Sequence, residues 1–388
     1  MPGQMRVAYV IPSLRSPSGW RSHATGFLNA MRERVKPSLY VSREDYGEAQ
    51  QLFPGWPIQQ LPTTQQFSAR NLHGLRQLLF CYRHIQARSF PGVDLVHSLE
   101  AYPTGLIGHW LAHRLGCPHL LTAHGTYSVV WDEQLIDRQL YRRVLSGAGM
   151  VCPVSHGTLR LMQAHFSAAL RGVSLRPILN GNDFWKVVPR SQALDRKPAS
   201  MPILISVGAV KPRKGYHTSL AAFASLKTSH STARYLIIGP YKQDAYFSKL
   251  QEMISQAHVE DVVFLGAASR GELGQYYQQA SLFVLAPQQE GLHFEGFGLV
   301  YLEAGAYGLP VVGTRTGGVP DAVQDGVTGL LVEPGDSDSL ASALSRLLSD
   351  ADLATQMGLA NRDWAEALTW ERTAQEQHQA YQEVLQTA

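Results

Sequence analysis

Two glutamates, Glu295 and Glu303, stand eight residues apart in Glu295-Gly-Phe-Gly-Leu-Val-Tyr-Leu-Glu303. If the first precedes a helix and the second lies within it, their carboxylates can address two ends of one extended ligand. Each carboxylate oxygen accepts hydrogen bonds from sugar or ribose hydroxyls. Gly298 marks the expected start of that helix, where the amides of Gly298 and Leu299 would face an anionic group. A second cluster is cationic: Lys211, Arg213 and Lys214 lie in Val207-Gly-Ala-Val-Lys-Pro-Arg-Lys-Gly215. Charges of this kind in a loop that follows a strand suit a diphosphate and would stabilise a departing anion. With no Gly-Lys-Ser/Thr in the segment, a Walker phosphate loop is excluded. A third candidate is His124 in Leu121-Thr-Ala-His124-Gly125-Thr-Tyr127, at the end of an apolar run. A histidine there either serves the fold or faces a ligand.

Short apolar runs alternating with longer amphipathic stretches must position these groups. Strands are expected at 6–11, 94–97, 119–122 and 150–153, with helices such as 72–87 and 104–115 between them. The pattern restarts with strands at 203–207, 234–238, 262–265, 282–285 and 310–312, and helices near 216–227, 244–257, 271–280 and 298–307. This alternation means βαβ units and parallel sheets, an α/β fold in two Rossmann-like domains. Domains of this kind facing each other across a cleft would take ligands at the carboxyl ends of their strands. The polar stretch 184–202 is broken by Pro189, Pro198 and Pro202 and reads as a linker. Asp336-Ser-Asp338 follows Pro334-Gly335 and reads as a turn and helix cap rather than a metal site. The stretch 370–384 is one more helix.

Read together, Leu282-Phe-Val-Leu-Ala-Pro, the Glu295–Glu303 segment with Ala304-Gly-Ala-Tyr-Gly-Leu-Pro-Val-Val-Gly-Thr, and Gly317-Gly-Val-Pro-Asp resemble the signature region of retaining nucleotide-sugar glycosyltransferases. These are the GT-B-fold enzymes of family four. Asp325-Gly-Val-Thr-Gly-Leu-Leu-Val-Glu333 and the helix at Trp370 extend the resemblance over nearly the whole chain. It implies an acceptor-binding domain at 1–183, a linker at 184–202, a nucleotide-sugar-binding domain at 203–365, and a helix at 366–388 crossing back to the first domain. By motif match, Glu295 contacts the donor sugar and Glu303 grips the nucleotide ribose. The alternative register at Glu290-Gly291 fails because Gly298 stands eight residues on. Lys214 matches the phosphate-binding lysine, whereas Ala209 occupies the place of the usual arginine, leaving Arg213 or Lys211 to supply the second cation. His124 matches the histidine that faces the transferred sugar. Gly19 is what remains of the usual glycine pair, with Ser18 before it. The implied catalytic set is His124, Glu295 and Lys214. The implied donor-binding set is Gly19, Gly208, Arg213, Lys214, Phe297, Gly298, Leu299 and Glu303. Asn180-Gly-Asn-Asp183 resembles the turn that closes the first domain.

The activity so implied is retaining transfer of a hexose from a nucleotide-diphosphate sugar to an acceptor hydroxyl, without metal or other cofactor. The acceptor would be a glycan, a lipid-linked saccharide or a small molecule. Two other readings stay open: a nucleotide-sugar epimerase of the same architecture, and a catalytically silent sugar-nucleotide binding protein. The 388 residues carry 34 Lys+Arg against 31 Asp+Glu, a net +3 too small to indicate nucleic-acid binding. Residues 1–183 hold 18 cations against 10 anions, and all but Lys36 are arginine. Such a domain could hold an anionic acceptor or rest on anionic lipid. Three scattered cysteines suggest no disulfide framework, and no apolar run is long enough for a membrane span. A cytoplasmic protein, peripheral at the inner face of the plasma membrane if it touches lipid, is expected. His109 and His113 lack the glutamate of a zinc-binding H-E-x-x-H. No G-x-S-x-G occurs, and no G-x-G-x-x-G follows the first strand.

Overall fold

The structure is a computed structural model that describes residues 4–387 apart from 16–18, 65–68, 70, 88, 89, 134 and 195–200. Ser18 and Pro198 therefore lie outside the described residues. The chain forms two compact units, one of Met1–Gly181 with Trp370–Ala388 and the other of Asn182–Thr369.

The first unit is built on seven strands: β1 (Arg6–Val10), β2 (Lys36–Ser42), β3 (Ile58–Leu61), β4 (Leu95–Ser98), β5 (His119–Ala123), β6 (Met150–Pro153) and β7 (Ser174–Leu175). Their order is β3-β2-β1-β4-β5-β6-β7, and every neighbouring pair is parallel. A parallel sheet needs helical crossovers that cover its faces, so its strands read as nearly continuous apolar runs. Val7, Ala8, Tyr9 and Val10 are accordingly all buried. The one polar residue at the middle of β4 is His97, opposite Tyr9. It shares hydrogen bonds with Tyr381 Oη (2.6 Å) and Thr122 Oγ1 (2.8 Å), which makes its burial tolerable.

Tyr381 lies on the helix Trp370–Thr387, which is part of this unit. Its Trp370 seats against the helix Gly19–Met31 at Gly26, where a β-carbon would stand 2.2 Å from the indole.

The second unit repeats the plan with β8 (Ile203–Val207), β9 (Arg234–Ile238), β10 (Val262–Gly266), β11 (Leu282–Val284), β12 (Val311–Thr314) and β13 (Gly329–Val332). The order is β10-β9-β8-β11-β12-β13, again parallel throughout. Both units are therefore Rossmann-like, as the alternation of runs implies. In each sheet the order reverses beside the first strand, between β1 and β4 and between β8 and β11. Loops leaving those strands diverge to opposite faces, opening a crevice at their carboxyl ends.

Residues 184–194, expected within a linker, are folded onto the second unit as the turn Phe184–Val187 and the short helix Arg190–Leu194. The cause is Arg362, only 2% exposed, which needs acceptors for its guanidinium. It donates to the carbonyls of Val188 (3.0 Å), Trp185 (3.1 Å) and Ala306 and to the Glu366 carboxylate (2.7 Å). Asp336 caps the helix Ser337–Ser349 by accepting from the Ser339 amide at 2.9 Å.

Candidate functional site

In the second unit the crevice between β8 and β11 collects the charged residues of two loops. The first runs from Gly208 to Gly215. Lys211-Pro-Arg-Lys214 forms a single 3₁₀ turn, closed by the Lys214 amide donating to the Lys211 carbonyl at 2.9 Å. Gly215 ends that turn at φ +69°, and a β-carbon there would sit 1.7 Å from the Ala286 carbonyl oxygen. Only glycine lets this loop lie against the one that follows β11. The Gln288 amide, donating to the Arg213 carbonyl at 2.9 Å, fastens the two together.

The contact brings Lys214 Nζ to 2.5 Å from Glu295 Oε2, and Arg213 Nη1 to 3.2 Å from the same oxygen. All three side chains are largely buried. Burial alone would raise the Glu295 pKa, but the two adjacent cations outweigh it and hold the carboxyl below its ordinary value. Lys211, by contrast, is exposed, so Arg213 is the second cation of the cluster. Gly208 borders it: its carbonyl accepts from Tyr216 Oη at 2.7 Å, and the end of the Lys214 side chain passes beside its α-carbon.

Gly298 takes φ +95°, ψ 55° and precedes the helix Leu299–Ala306, as the sequence places it. Phe297 is buried. Glu303 lies on that helix and does not join the Lys214 cluster. Its Oε2 accepts from Tyr277 Oη at 3.1 Å, and burial pushes its carboxyl up to about 7. His293 is exposed on the loop before Glu295.

In the first unit, Gly19 opens the helix Gly19–Met31 after β1, and His124 follows β5 at the start of the 3₁₀ turn Gly125–Ser128. The His124 ring packs edge-on against His23, centroids 4.3 Å apart. Its Nε2 is buried with no hydrogen-bond partner among the described residues. His23 Nδ1 shares a 3.0 Å hydrogen bond with Asn180 Oδ1, so the Asn180–Asp183 turn is tied to the helix that Gly19 begins. The division between the units falls just after Gly181, where Asn182 Nδ2 donates to the carbonyls of Leu368 (2.7 Å) and Ala365 (2.8 Å).

Sequence reasoning missed Glu100. It follows β4 at the crevice of the first sheet and is 1% exposed. One carboxylate oxygen accepts from the Ala101 amide (2.7 Å) and, at 3.4 Å, from the His124 amide. The other accepts from Trp20 Nε1 at 2.7 Å. Burial outweighs these hydrogen bonds and pushes the carboxyl up to about 8. The available signal was an acidic residue two positions past an apolar run, in Leu95-Val-His-Ser-Leu-Glu100.

Comparison with known proteins adds a family to this geometry. Residues 191–364 match the description "Glycosyl transferases group 1", and residues 17–181 match "Glycosyltransferase Family 4". A GDP-mannose-dependent alpha-(1-6)-phosphatidylinositol monomannoside mannosyltransferase of Mycolicibacterium smegmatis is 32% identical over 279 residues, which cover 70% of this chain and 72% of that one. A D-inositol 3-phosphate glycosyltransferase of Nocardia farcinica is 30% identical over 356 residues, covering 86% and 74%. Among solved structures, Anabaena Alr3699/HepE in complex with UDP and glucose shares the fold with a TM-score of 0.74 at 18% identity, covering 98% of this chain and 100% of that one.

Proposed function

The chain belongs to the glycosyltransferases of family four, with the GT-B pair of Rossmann-like units, and from that premise we propose how its residues divide the work. The chemistry is glycosyl transfer from a nucleotide sugar to an acceptor. Our reading is that the second unit holds the donor and that Lys214 and Arg213 neutralise the diphosphate as it leaves. The observation that carries this reading is the Lys214–Glu295–Arg213 cluster at the crevice of the second sheet. A carboxylate between two cations keeps them in place before any donor arrives, so little reorganisation is needed when negative charge develops. As the sugar–oxygen bond breaks, its electron pair passes to the phosphate oxygen, where these cations lower the energy of the transition state. The amides at Gly298 and Leu299 would add the positive end of a helix.

Glu295, held ionised, would then accept hydrogen bonds from hydroxyls of the sugar, and Glu303 from those of the ribose. His124 would face the transferred sugar. The acceptor hydroxyl attacks from the face the diphosphate leaves, and its proton passes to the leaving phosphate oxygen. This gives retention with no covalent intermediate and no divalent ion. The donor we favour is GDP-mannose, because mannosyltransferases using it stand among the relatives. The acceptor class we favour is a lipid-linked saccharide or polyol.

Contact with an anionic membrane fits the helix Leu72–Ala87. It contains no acidic residue and exposes Leu72, Leu79 and Phe80 on the face that carries Arg76 and Arg83. Among the described residues no helix is long and apolar enough to cross a membrane.

Incubating the protein with GDP-mannose, UDP-glucose or ADP-glucose and a lipid extract, then assigning the new anomeric centre by NMR, tests the reading. An α-linked product with release of the nucleoside diphosphate supports it. A β-linked product from an α-donor contradicts retention, and failure of every nucleotide sugar to turn over contradicts the donor assignment. Co-sedimentation with phosphatidylglycerol vesicles at low salt, lost in Arg76→Glu/Arg83→Glu, tests the membrane contact; no sedimentation would contradict it.

A further inference from the structure

The segment that begins with Gly19 and the turn that follows His124 touch through two aromatic pairs one helical turn apart. The inner pair is the buried His23 with the half-buried His124, already described. The outer pair is Trp20–Tyr127, with ring centroids 4.9 Å apart and planes at 48°. Neither outer ring belongs to the core: Trp20 is partly exposed and Tyr127 is 42% exposed.

Exposed aromatic rings are normally free to turn, but the Trp20 indole is anchored and the backbone beneath Tyr127 is fixed. The indole Nε1 donates to Glu100 Oε2 at 2.7 Å, and Glu100 is itself buried and fixed by the Ala101 amide. The turn bearing Tyr127 is pinned where Trp131 Nε1 donates to the Tyr127 carbonyl at 2.9 Å. The Trp20 ring, fixed by Glu100, meets the Tyr127 ring at an angle one turn from His124, and the two form a partly preorganised aromatic surface at the crevice of the first sheet. The faces of aromatic rings carry negative potential and attract weakly positive C–H groups. Small cyclic molecules with C–H groups on a face and hydroxyls at the rim match this surface.

We infer that Trp20 and Tyr127 form an acceptor subsite that stacks on the apolar face of a cyclic polyol, a pyranose or cyclitol ring, and places one of its hydroxyls toward His124. The inference rests on the glycosyl-transfer reading and adds where the acceptor ring lies and what kind of ring it is. Glu100 is a positioning residue here: it reaches the ligand only through the indole it holds.

Saturation-transfer difference NMR on the full chain tests this, with methyl α-D-mannopyranoside and myo-inositol as probes and the open-chain polyol D-glucitol as control. Saturation of the aromatic protons should pass to the ring C–H protons of at least one cyclic probe, several-fold more than to glucitol. That transfer should fall several-fold in Trp20→Ala and Tyr127→Leu and persist in Tyr127→Phe. Tyr82→Leu, which alters an exposed tyrosine elsewhere in the same unit, should leave it unchanged. Glu100→Gln should keep most of the signal by preserving an acceptor for the indole, whereas Glu100→Ala should lose it. Far-UV circular dichroism confirms that each variant is folded.

Equal transfer to glucitol and the cyclic probes, or undiminished transfer in folded Trp20→Ala and Tyr127→Leu, overturns the subsite. Nucleotide-sugar binding, measured on the same wild-type sample by thermal shift, separates the two readings. A protein that binds a nucleotide sugar but shows no ring-selective transfer loses only the subsite. One that binds no nucleotide sugar loses the glycosyl-transfer reading as well.

Discussion

Lys214 Nζ and Glu295 Oε2 are 2.5 Å apart although 81 residues of chain separate them, and Arg213 reaches the same oxygen at 3.2 Å. The pair joins the loop after β8 to the loop after β11, the two strands at which the second sheet reverses its order. Burial would raise that carboxyl, and Lys214 and Arg213 together hold it below its ordinary value. The group proposed to meet the sugar and the groups proposed to meet the diphosphate therefore depend on one another.

Replacing Lys214 with Met should lower kcat by roughly 10²–10³, the scale on which removal of one preorganised transition-state donor is felt. Donor KM should change less. Steady-state kinetics with the accepted nucleotide sugar checks this, and near-wild-type kcat would remove Lys214 from the mechanism.

Glu303 gives a pH dependence of defined sign. Its carboxyl is raised to about 7 by burial, so below that pH it is protonated and offers fewer acceptor sites to ribose hydroxyls. Donor KM should fall as pH rises from 6 to 8, and Glu303→Gln should flatten the profile. A wild-type KM that is level over this range would contradict the ribose assignment.

Acid should weaken the first unit before the second. His23 is lowered to about 4 and His119 to about 3 by burial, while His97 and His124 are held well below the ordinary value, first by burial and then by neighbouring histidines, His23 and His119 for His97, His23 and His97 for His124. The unfolded chain protonates these groups near pH 6.5, so it binds more protons than the fold below that pH. Each histidine then lowers stability by about 1.4 kcal/mol per pH unit as pH falls from 6.5 toward its folded value. Glu100 acts in the opposite sense, losing stability as pH rises from about 4.5 to 8, but it is one group against four. Calorimetric scans between pH 7 and 5 should show one transition falling steeply, and equal slopes for both transitions would contradict this assignment.

Gly215→Ala should destabilise the second unit by at least about 2 kcal/mol, because the added carbon meets the Ala286 carbonyl oxygen at 1.7 Å and the backbone is left-handed there. Thermal melts check the stability, and the loss of kcat should exceed what unfolding explains, since Lys214 precedes this residue.

Activity should survive EDTA, since the proposed leaving-group stabilisation is supplied by Lys214 and Arg213. Loss of turnover on chelation, restored by Mg²⁺, would count against the metal-free reading.

Much of this was legible in the chain itself. Apolar runs at β1, β8 and β9 announce strands because both faces of a parallel sheet are covered. β2 was hidden by its opening Lys36-Pro37, and β3 by Gln59-Gln60, which make it look like a loop. Only pairing against β1 and β2 brings these segments into the sheet. The residues of the Lys214 cluster were visible as types and spacings, but their contact is a property of the topology. Glu100 carried no spacing of its own; it matters because β4 lies between the strands leading to Trp20 and to His124.

The helix Trp370–Thr387 belongs to a unit whose other residues precede position 182. Made from the amino terminus, the chain emerges with its first unit lacking Trp370 under Gly26 and Tyr381 against His97. The unit that starts second, Asn182–Thr369, is contiguous and is complete while the first still waits for its closing helix. Order of synthesis and order of completion are therefore reversed, and a released chain cut short after Thr369 would hold one finished unit and one with an open core.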